Sequence, residues 1–463
     1  MGSLFALLGT MQEGLAAQQA GIDVTGQNIA NVNTPGYVKR TAVLESRAVL
    51  PGSDGGVDVA EIQRAYSSFT YAQVLVGHGA KSAADGRSGA LGEAQAVLAP
   101  NGGGSLSDSI NAFFSSLQAL SATPADPSAR SAVLAKATQL ATSFSTTSSG
   151  LSQVQSSLYS QAQGVISDVN QELAQIAQLN GQISQANGLG DNAPDLRDKR
   201  DSLVSDVADR IGARVVPDAS GSVTLFAAGT VLVSANHASS LGVSLDPSGA
   251  MKFVVNRPGG AAVDVTQDVT DGTLGGLREA RDVDVAKTAA QLDQLAYSIE
   301  NAVNSVHSKG YGLDGATGRP LFAPPSSVAG AAATMGVDPS VAGQPDRVAA
   351  SATAADIPGG NDIALQLAQL AGQPLGAGGP PAQEVAAIAA QLGTAKSSAD
   401  TDASTRADML TQAENMNSSA SGVSLNEEMV NLTRFQQAFQ AATRVLQVTD
   451  QLLGDFMTTM STA

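Results

Sequence analysis

Apolar positions near the start of the chain step by four and three residues: Leu4, Leu8, Met11, Leu15, then Gln18, Ile22, Thr25, Ile29 and Val32. A mean spacing of 3.5 residues keeps one seam of a helix turned toward a partner, the signature of a coiled coil. The far end repeats the pattern. Leu425, Leu432, Phe439, Leu446, Leu453 and Met460 recur every seven residues, with Phe435, Ala442, Thr449 and Phe456 three residues after four of them. Ser424 and Glu427 have the spacing of a capping box. The two ends therefore predict complementary helices that pair with each other, and apolar residues off the seam, such as Leu7, Met429, Val445 and Leu452, add a surface for neighbouring copies.

Further helical stripes lie between the ends. Leu106, Ile110, Phe113, Leu117 and Leu120 mark one helix, residues 130–144 a second, Leu151 to Ile183 a long third, and Val285, Leu292, Leu295, Ile299 and Val306 a fourth. Together they predict a helical bundle. Residues 211–274 change character to short apolar or alternating runs between Gly, Pro, Asp and Ser clusters, which predicts a β-rich insert. Residues 310–360 are rich in Gly, Pro and Ala and predict an extended wrapping segment. The expected fold class is mainly α with an inserted β-rich domain. Its expected divisions are 1–37 with 424–463 as a terminal coiled coil, 38–210 with 275–423 as the bundle, and 211–274 as the outer β domain.

The helix that begins the chain ends in "NIANVNTPGYVKR", residues 28–40. Pro35 fixes its own φ and drives Thr34 out of helical geometry, while Gly36 is free to take positive φ, so Thr34-Pro35-Gly36-Tyr37 predicts a type II turn. Asn28 and Asn31 are not needed to stop a helix. They are placed to hydrogen-bond the turn or a neighbouring subunit.

Composition narrows the chemistry. A net charge of -17 over 463 residues excludes a nucleic-acid binder and disfavours an anionic membrane surface. The absence of cysteine removes disulfides, thiolate metal sites and cysteine nucleophiles. His78, His237 and His307 are widely separated and none sits in a metal-ligand spacing, so structural or surface roles are expected for all three. The glycines of "APNGGGSLSDSI" lack a P-loop ending and predict a connector capped by Ser105 or Ser107. "LRDKRD" at 196–201 and "DVDV" at 282–285 predict solvated, ion-paired helix faces. "YGLDGATGRPLF" at 311–322 falls short of a calcium loop and predicts tight turns. No catalytic residue, cofactor or metal is expected. The start of the chain lacks the basic segment and cleavage site of a signal peptide, so export would follow another route.

Asn28-Ile29-Ala30-Asn31 with Asn33-Thr34-Pro35-Gly36-Tyr37 resembles the N-terminal signature of bacterial flagellar rod, hook and hook-associated proteins. "SGVSLNEEMVNLTRFQQAFQAATRVLQVTDQLL", residues 421–453, resembles that family's C-terminal helix. The middle segments, among them "DLRDKRDSLVSDVADRIG", "GTLGGLREARD" and "NSVHSKGYGLDGATGRPLF", resemble the first of the two hook-associated proteins that join hook to filament. The chain is shorter than long members of that group, which implies that an outer domain is reduced or missing.

The resemblance implies a non-enzymatic adaptor exported through the flagellar type III channel. It implies self-association in a helical ring, contact with the hook protein and with the second junction protein, and an export chaperone on residues 424–460. The assembly residues expected on this basis are Leu8, Met11, Leu15, Ile22, Ile29, Leu425, Leu432, Phe435, Phe439, Leu446, Leu453 and Phe456, with Asn28, Asn31, Thr34, Pro35, Gly36 and Tyr37 as the turn. Ordering of the terminal helices is expected to be coupled to association. A hook or distal-rod protein is an alternative within the same machine, and a secreted hydrolase with flagellar-type ends is one from another class.

Overall fold

The computed structural model describes residues 2–34, 36–47, 55–98, 105–375 and 378–461. Helix α1 (Gly2–Ala30) turns into a hairpin of β1 (Arg40–Arg47) and β2 (Gly56–Arg64), which leads to α2 (Ser68–Leu98), α3 (Leu106–Ala122), α4 (Pro127–Gly188) and α5 (Pro194–Ile211). Strands β3 (Arg214–Pro217), β4 (Val223–Ala227), β5 (Thr230–Ser234) and β6 (His237–Ala238) form one antiparallel sheet. A second consists of β7 (Ser240–Leu245), β8 (Met251–Asn256) and β9 (Val263–Asp264). The chain then returns to helices: α6 (Gly272–Glu279), a π-helical stretch, α7 (Ala286–His307), the short α8 (Ala331–Thr334) and α9 (Asp362–Gln369), and finally α10 (Pro381–Ser421) and α11 (Leu425–Ser461). The fold is mainly α with a β-rich insert.

One continuous core joins α2, α3, α4, α7, α9, α10 and the inner faces of both sheets. Phe113, Phe144, Phe253, Phe322, Leu151 and Ile299 are completely buried in it, and the Phe113 and Phe322 rings meet at 5.5 Å. Local signals start its helices. Ser105 and Asp108 close a capping box at α3, and Asp126 caps α4 with Pro127 in its first turn.

Two expectations need correction. The segments expected as separate helices at 130–144 and 151–183 are one helix of 62 residues. The intervening "STTSSG" contains no proline, the Thr147 hydroxyl donates to the Ser143 carbonyl at 2.9 Å, and Gly150 admits the side chain of Val97. Helices α2 and α10 were absent from the apolar pattern. The contacts of α2 run largely through small residues, such as Ala84, Ala90 and Ala94, so little periodicity marks it, whereas α10 buries Val385, Ile388 and Leu392 near its start and then only Ala399, Leu410, Ala413 and Ser421 over its remaining length. A Cβ on Gly276 of α6 would stand 2.1 Å from the Ala83 carbonyl oxygen of α2, which shows how closely those backbones approach.

The terminal helices α1 and α11 pack along each other within the single chain. The buried line on α1 is Ala17, Gly21, Val24, Thr25 and Asn28, whereas the expected seam residues Leu8, Met11, Leu15, Ile22 and Ile29 flank it and are only partly covered. Small residues allow the closest approach, so they define the contact line: a Cβ on Gly21 would fall 2.6 Å from the Phe435 ring. On α11, Leu432, Phe435, Phe439, Leu446 and Leu453 are partly buried. Leu425 and Phe456 do not join the seam and remain 46% and 45% exposed.

Candidate functional site: the joint between terminal helices and bundle

Asn28 sits at the end of α1 and is 1% exposed. Its amide nitrogen donates to the Arg40 carbonyl at 2.8 Å and to Glu428 Oε2 of α11 at 2.9 Å. Its amide oxygen accepts from the Tyr37 hydroxyl at 2.9 Å and from the Arg40 backbone N–H at 3.0 Å. All four hydrogen-bonding positions of the carboxamide are thus used. One side chain ties together α1, the turn, β1 and the opposite end of the chain.

The turn is braced in the way its residues require. Gly36 has φ +77°, and the Tyr37 N–H donates to the Thr34 carbonyl at 3.2 Å. Asn31 donates to the Gln27 carbonyl at 3.0 Å and accepts from the Thr34 hydroxyl at 3.1 Å. Pro35 lies outside the described residues. The Arg40 guanidinium stacks 4.9 Å from the centre of the Tyr37 ring, and burial raises the Tyr37 pKa above its ordinary value.

Beyond the turn, Arg40 and Arg64 carry the hairpin onto α5. Arg40, 6% exposed, contacts Asp195 and Asp198 at 2.7 Å each, and Arg64 contacts Asp198 at 2.7 Å and Asp201 at 2.8 Å. Burial pushes the Asp198 carboxyl up in pKa, against the pull of the Arg64 and Arg40 guanidiniums. Lys39 reaches across to Glu427 at 2.8 Å and lies 3.5 Å from Glu428. The other end of the hairpin is held to α1 by Arg47 and Glu13 at 2.6 Å.

The sequence expectation for "LRDKRD" was half correct. Lys199 is exposed, but Asp198 and Asp201 are 13% and 12% exposed beneath two arginines. The three-residue spacing of Asp195, Asp198 and Asp201 was the available signal, since it places three carboxylates along one helix side. Arg40 and Arg64, alone in the hairpin sequence, gave none. A cleft of about 820 Å³ opens beside this joint, lined by Gln27, Asn31, Tyr37, Gln178, Gln182 and Lys199 among others.

The histidines do not converge. His78 bonds Asp209 at 3.0 Å, His237 lies on the short edge strand β6, and His307 is buried. The Ala349 N–H donates to His307 Nε2 and Nδ1 meets the Arg319 carbonyl, a neutral imidazole whose pKa burial lowers to about 4. Among the described residues no group of three or more His, Cys, Asp or Glu could hold a metal ion, and no helix is long and apolar enough to cross a membrane.

The geometry defines a class first: a helical protein whose two chain ends form one rod, locked onto a bundle by a polar joint. Comparison with known proteins gives the same answer in finer form. Residues 91–322 match the flagellar hook-associated protein FlgK helical domain, residues 408–460 the flagellar basal body rod FlgEFG protein C-terminal region, and residues 8–37 the flagella basal body rod protein family. The chain is 30% identical to flagellar hook-associated protein 1 of Salmonella typhimurium over 68% of its own length, and 28% identical to that of Bacillus subtilis over 98% of both chains. A solved structure, the flagellar hook junction protein FlgK from Burkholderia pseudomallei, matches with a TM-score of 0.50 and 29% identity over 54% of this chain and 46% of that one. The chain belongs to the flagellar hook-associated protein FlgK family. It spans 59% of the length of the Salmonella relative.

Proposed function

We propose that this chain is a structural adaptor at the junction of hook and filament in the bacterial flagellum. The observation that carries the reading is the pairing of both chain ends through Asn28 and Glu428, with an apolar side of α11 left open. Val430, Val445, Val448, Leu452 and Phe456 fall within about 80° of one another around that helix at 3.6 residues per turn and are 44% to 68% exposed. An apolar stripe of this extent on a long helix is a surface for association.

In this reading α1 and α11 form the inner wall of a ring of copies, the bundle of 38–210 and 275–423 forms the next layer, and 211–274 faces outward. The partners are further copies of the chain, the hook protein below and the second junction protein above. Before export, a chaperone covers the α11 stripe. Leu8, Met11, Leu15, Ile22 and Ile29, together with Leu432, Phe435, Phe439, Leu446 and Leu453, supply the apolar contact between the ends, and Leu425 and Phe456, exposed in the single chain, face neighbouring copies.

Deleting the gene in the source organism tests the reading. Finished hooks without filaments, with flagellin released to the medium and motility restored by the full chain, are the expected result. Normal filaments in the deletion strain would reject it.

A further inference from the structure

The wedge between the hairpin, α5 and the β insert gathers three guanidiniums. Arg64 from β2 and Arg197 and Arg200 from α5 line a cleft of about 480 Å³, which the turn between β3 and β4 also lines through Asp218 and Gly221. In a chain of net charge -17 this gathering calls for a cause, because like charges held close in a half-dry site repel one another.

The polar joint accounts for part of it. Arg200 is 4% exposed, and its Nε and Nη2 donate to Asp201 Oδ1 at 3.2 and 3.0 Å while Nη1 donates to the Gly221 carbonyl at 2.9 Å. Arg64 spends Nη2 on Asp198 and Asp201, but its Nε, on a side chain 9% exposed, is buried without a hydrogen-bond partner. Arg197 is further short of partners. Its Nε donates to the Asn192 carbonyl at 2.7 Å, and among the described residues no carboxylate pairs with its guanidinium. Burial, followed by the charges of Arg200 and Arg64, lowers its pKa against the pull of Asp201. Gly221 makes room for it: at φ +83° and without a side chain, this residue lets Arg197 Nη2 lie where a Cβ would come within 2.4 Å.

Two carboxylates line the same cleft, and both are engaged elsewhere. Glu61 accepts from the Asn192 amide at 2.6 Å, and Asp218 accepts from the Ser220 backbone N–H at 2.8 Å and from the hydroxyls of Ser220 and Ser222. The acids that pair with Arg64 and Arg200 are Asp198 and Asp201 instead.

We propose that this cleft binds a small oxyanion of the phosphate class, with Arg197 as its main ligand and Arg64 and Arg200 beside it. A guanidinium presents paired N–H donors that match the oxygens of such an anion, and several positive charges favour doubly charged phosphate over a single carboxylate. The bound anion would tie β2, α5 and the β3–β4 turn together, a site that exists only in the folded chain, so binding stabilises the fold. The inference goes beyond the assembly reading and stands without it.

Calorimetric titration of the dilute full chain with sodium phosphate, set against sodium chloride and sodium acetate at equal pH and ionic strength, tests the site. The expected result is saturable binding of one phosphate with a Kd on the order of millimolar, no saturable response to chloride and weaker binding of acetate. Arg197→Gln should weaken phosphate binding by about tenfold. Glu61→Gln, which keeps an acceptor for the Asn192 amide and removes a negative charge from the wall, should tighten it by about threefold. Shifts of opposite sign separate a lost ligand from a damaged fold, which would weaken binding in both variants. In the parent chain phosphate should also slow hydrogen exchange at residues 62–66 and 217–223. Saturable chloride binding, acetate bound as tightly as phosphate, an unchanged affinity in Arg197→Gln, or no change in exchange at those residues overturns the proposal.

Discussion

Asn28→Asp should release the two ends of the chain from each other. The substitution removes the donor that serves both the Arg40 carbonyl and Glu428, and puts a carboxylate against Glu428, whose side chain is 2% exposed. Each buried polar group left unpaired costs about 1 to 3 kcal/mol, so the combined loss is on the order of 3 to 5 kcal/mol, with the new like-charge contact adding to it. The rod has little reserve against such a loss, because most of its large apolar side chains are only partly covered. Thermal unfolding followed by far-ultraviolet dichroism should show an early transition for α1 and α11 while the bundle melts unchanged. Glu428→Gln in the same chain should restore much of the loss, since a glutamine amide can donate to the new carboxylate. An Asn28→Asp chain as stable as the parent would mean that the joint is solvated and the rod is held elsewhere.

Asp198→Ala is expected to have the next largest effect. Asp198 is shared by two guanidiniums, Arg40 at 6% and Arg64 at 9% exposure, and each would keep a single carboxylate partner, Asp195 or Asp201. Removing one member of a buried ion cluster costs about 3 to 5 kcal/mol, most of it the penalty for the charge left behind. The loss should be near the lower end, because the remaining partners hold part of the field. Denaturant titration should register it, and hydrogen exchange should localise it to β1, β2 and the start of α5. A change below about 0.5 kcal/mol is what a solvated surface pair would give, and would remove the joint's mechanical role.

Much of this arrangement was legible in the sequence, and the gaps have physical causes. Heptads marked α7 and α11 because Leu, Ile and Phe at fixed spacing are the residues that a seam buries. The same rule misplaced the contact line on α1, where Gly21 and Ala17 matter because they are small. Helix α2 went unseen for the same reason, since Ala84, Ala90 and Ala94 carry much of its contact. Asn28 was visible because a helix stop requires Pro and Gly but not an asparagine. Its partner Glu428, 400 positions away, was not, because only the folded chain brings the two ends within hydrogen-bond distance. Asp198 looked like one charge among many on α5, and only the hairpin packed over it turns it into a buried group.

The account depends on a rod that is paired but incompletely covered until other copies close around it. Hydrogen exchange of the α11 amides, measured in the dilute full chain and again in assembled flagella, tests that most directly. Local stability follows buried contact, so in the dilute chain α11 should exchange well ahead of α4, and assembly should slow it strongly. An α11 already as protected as α4 in the dilute chain, or unchanged on assembly, would contradict the account.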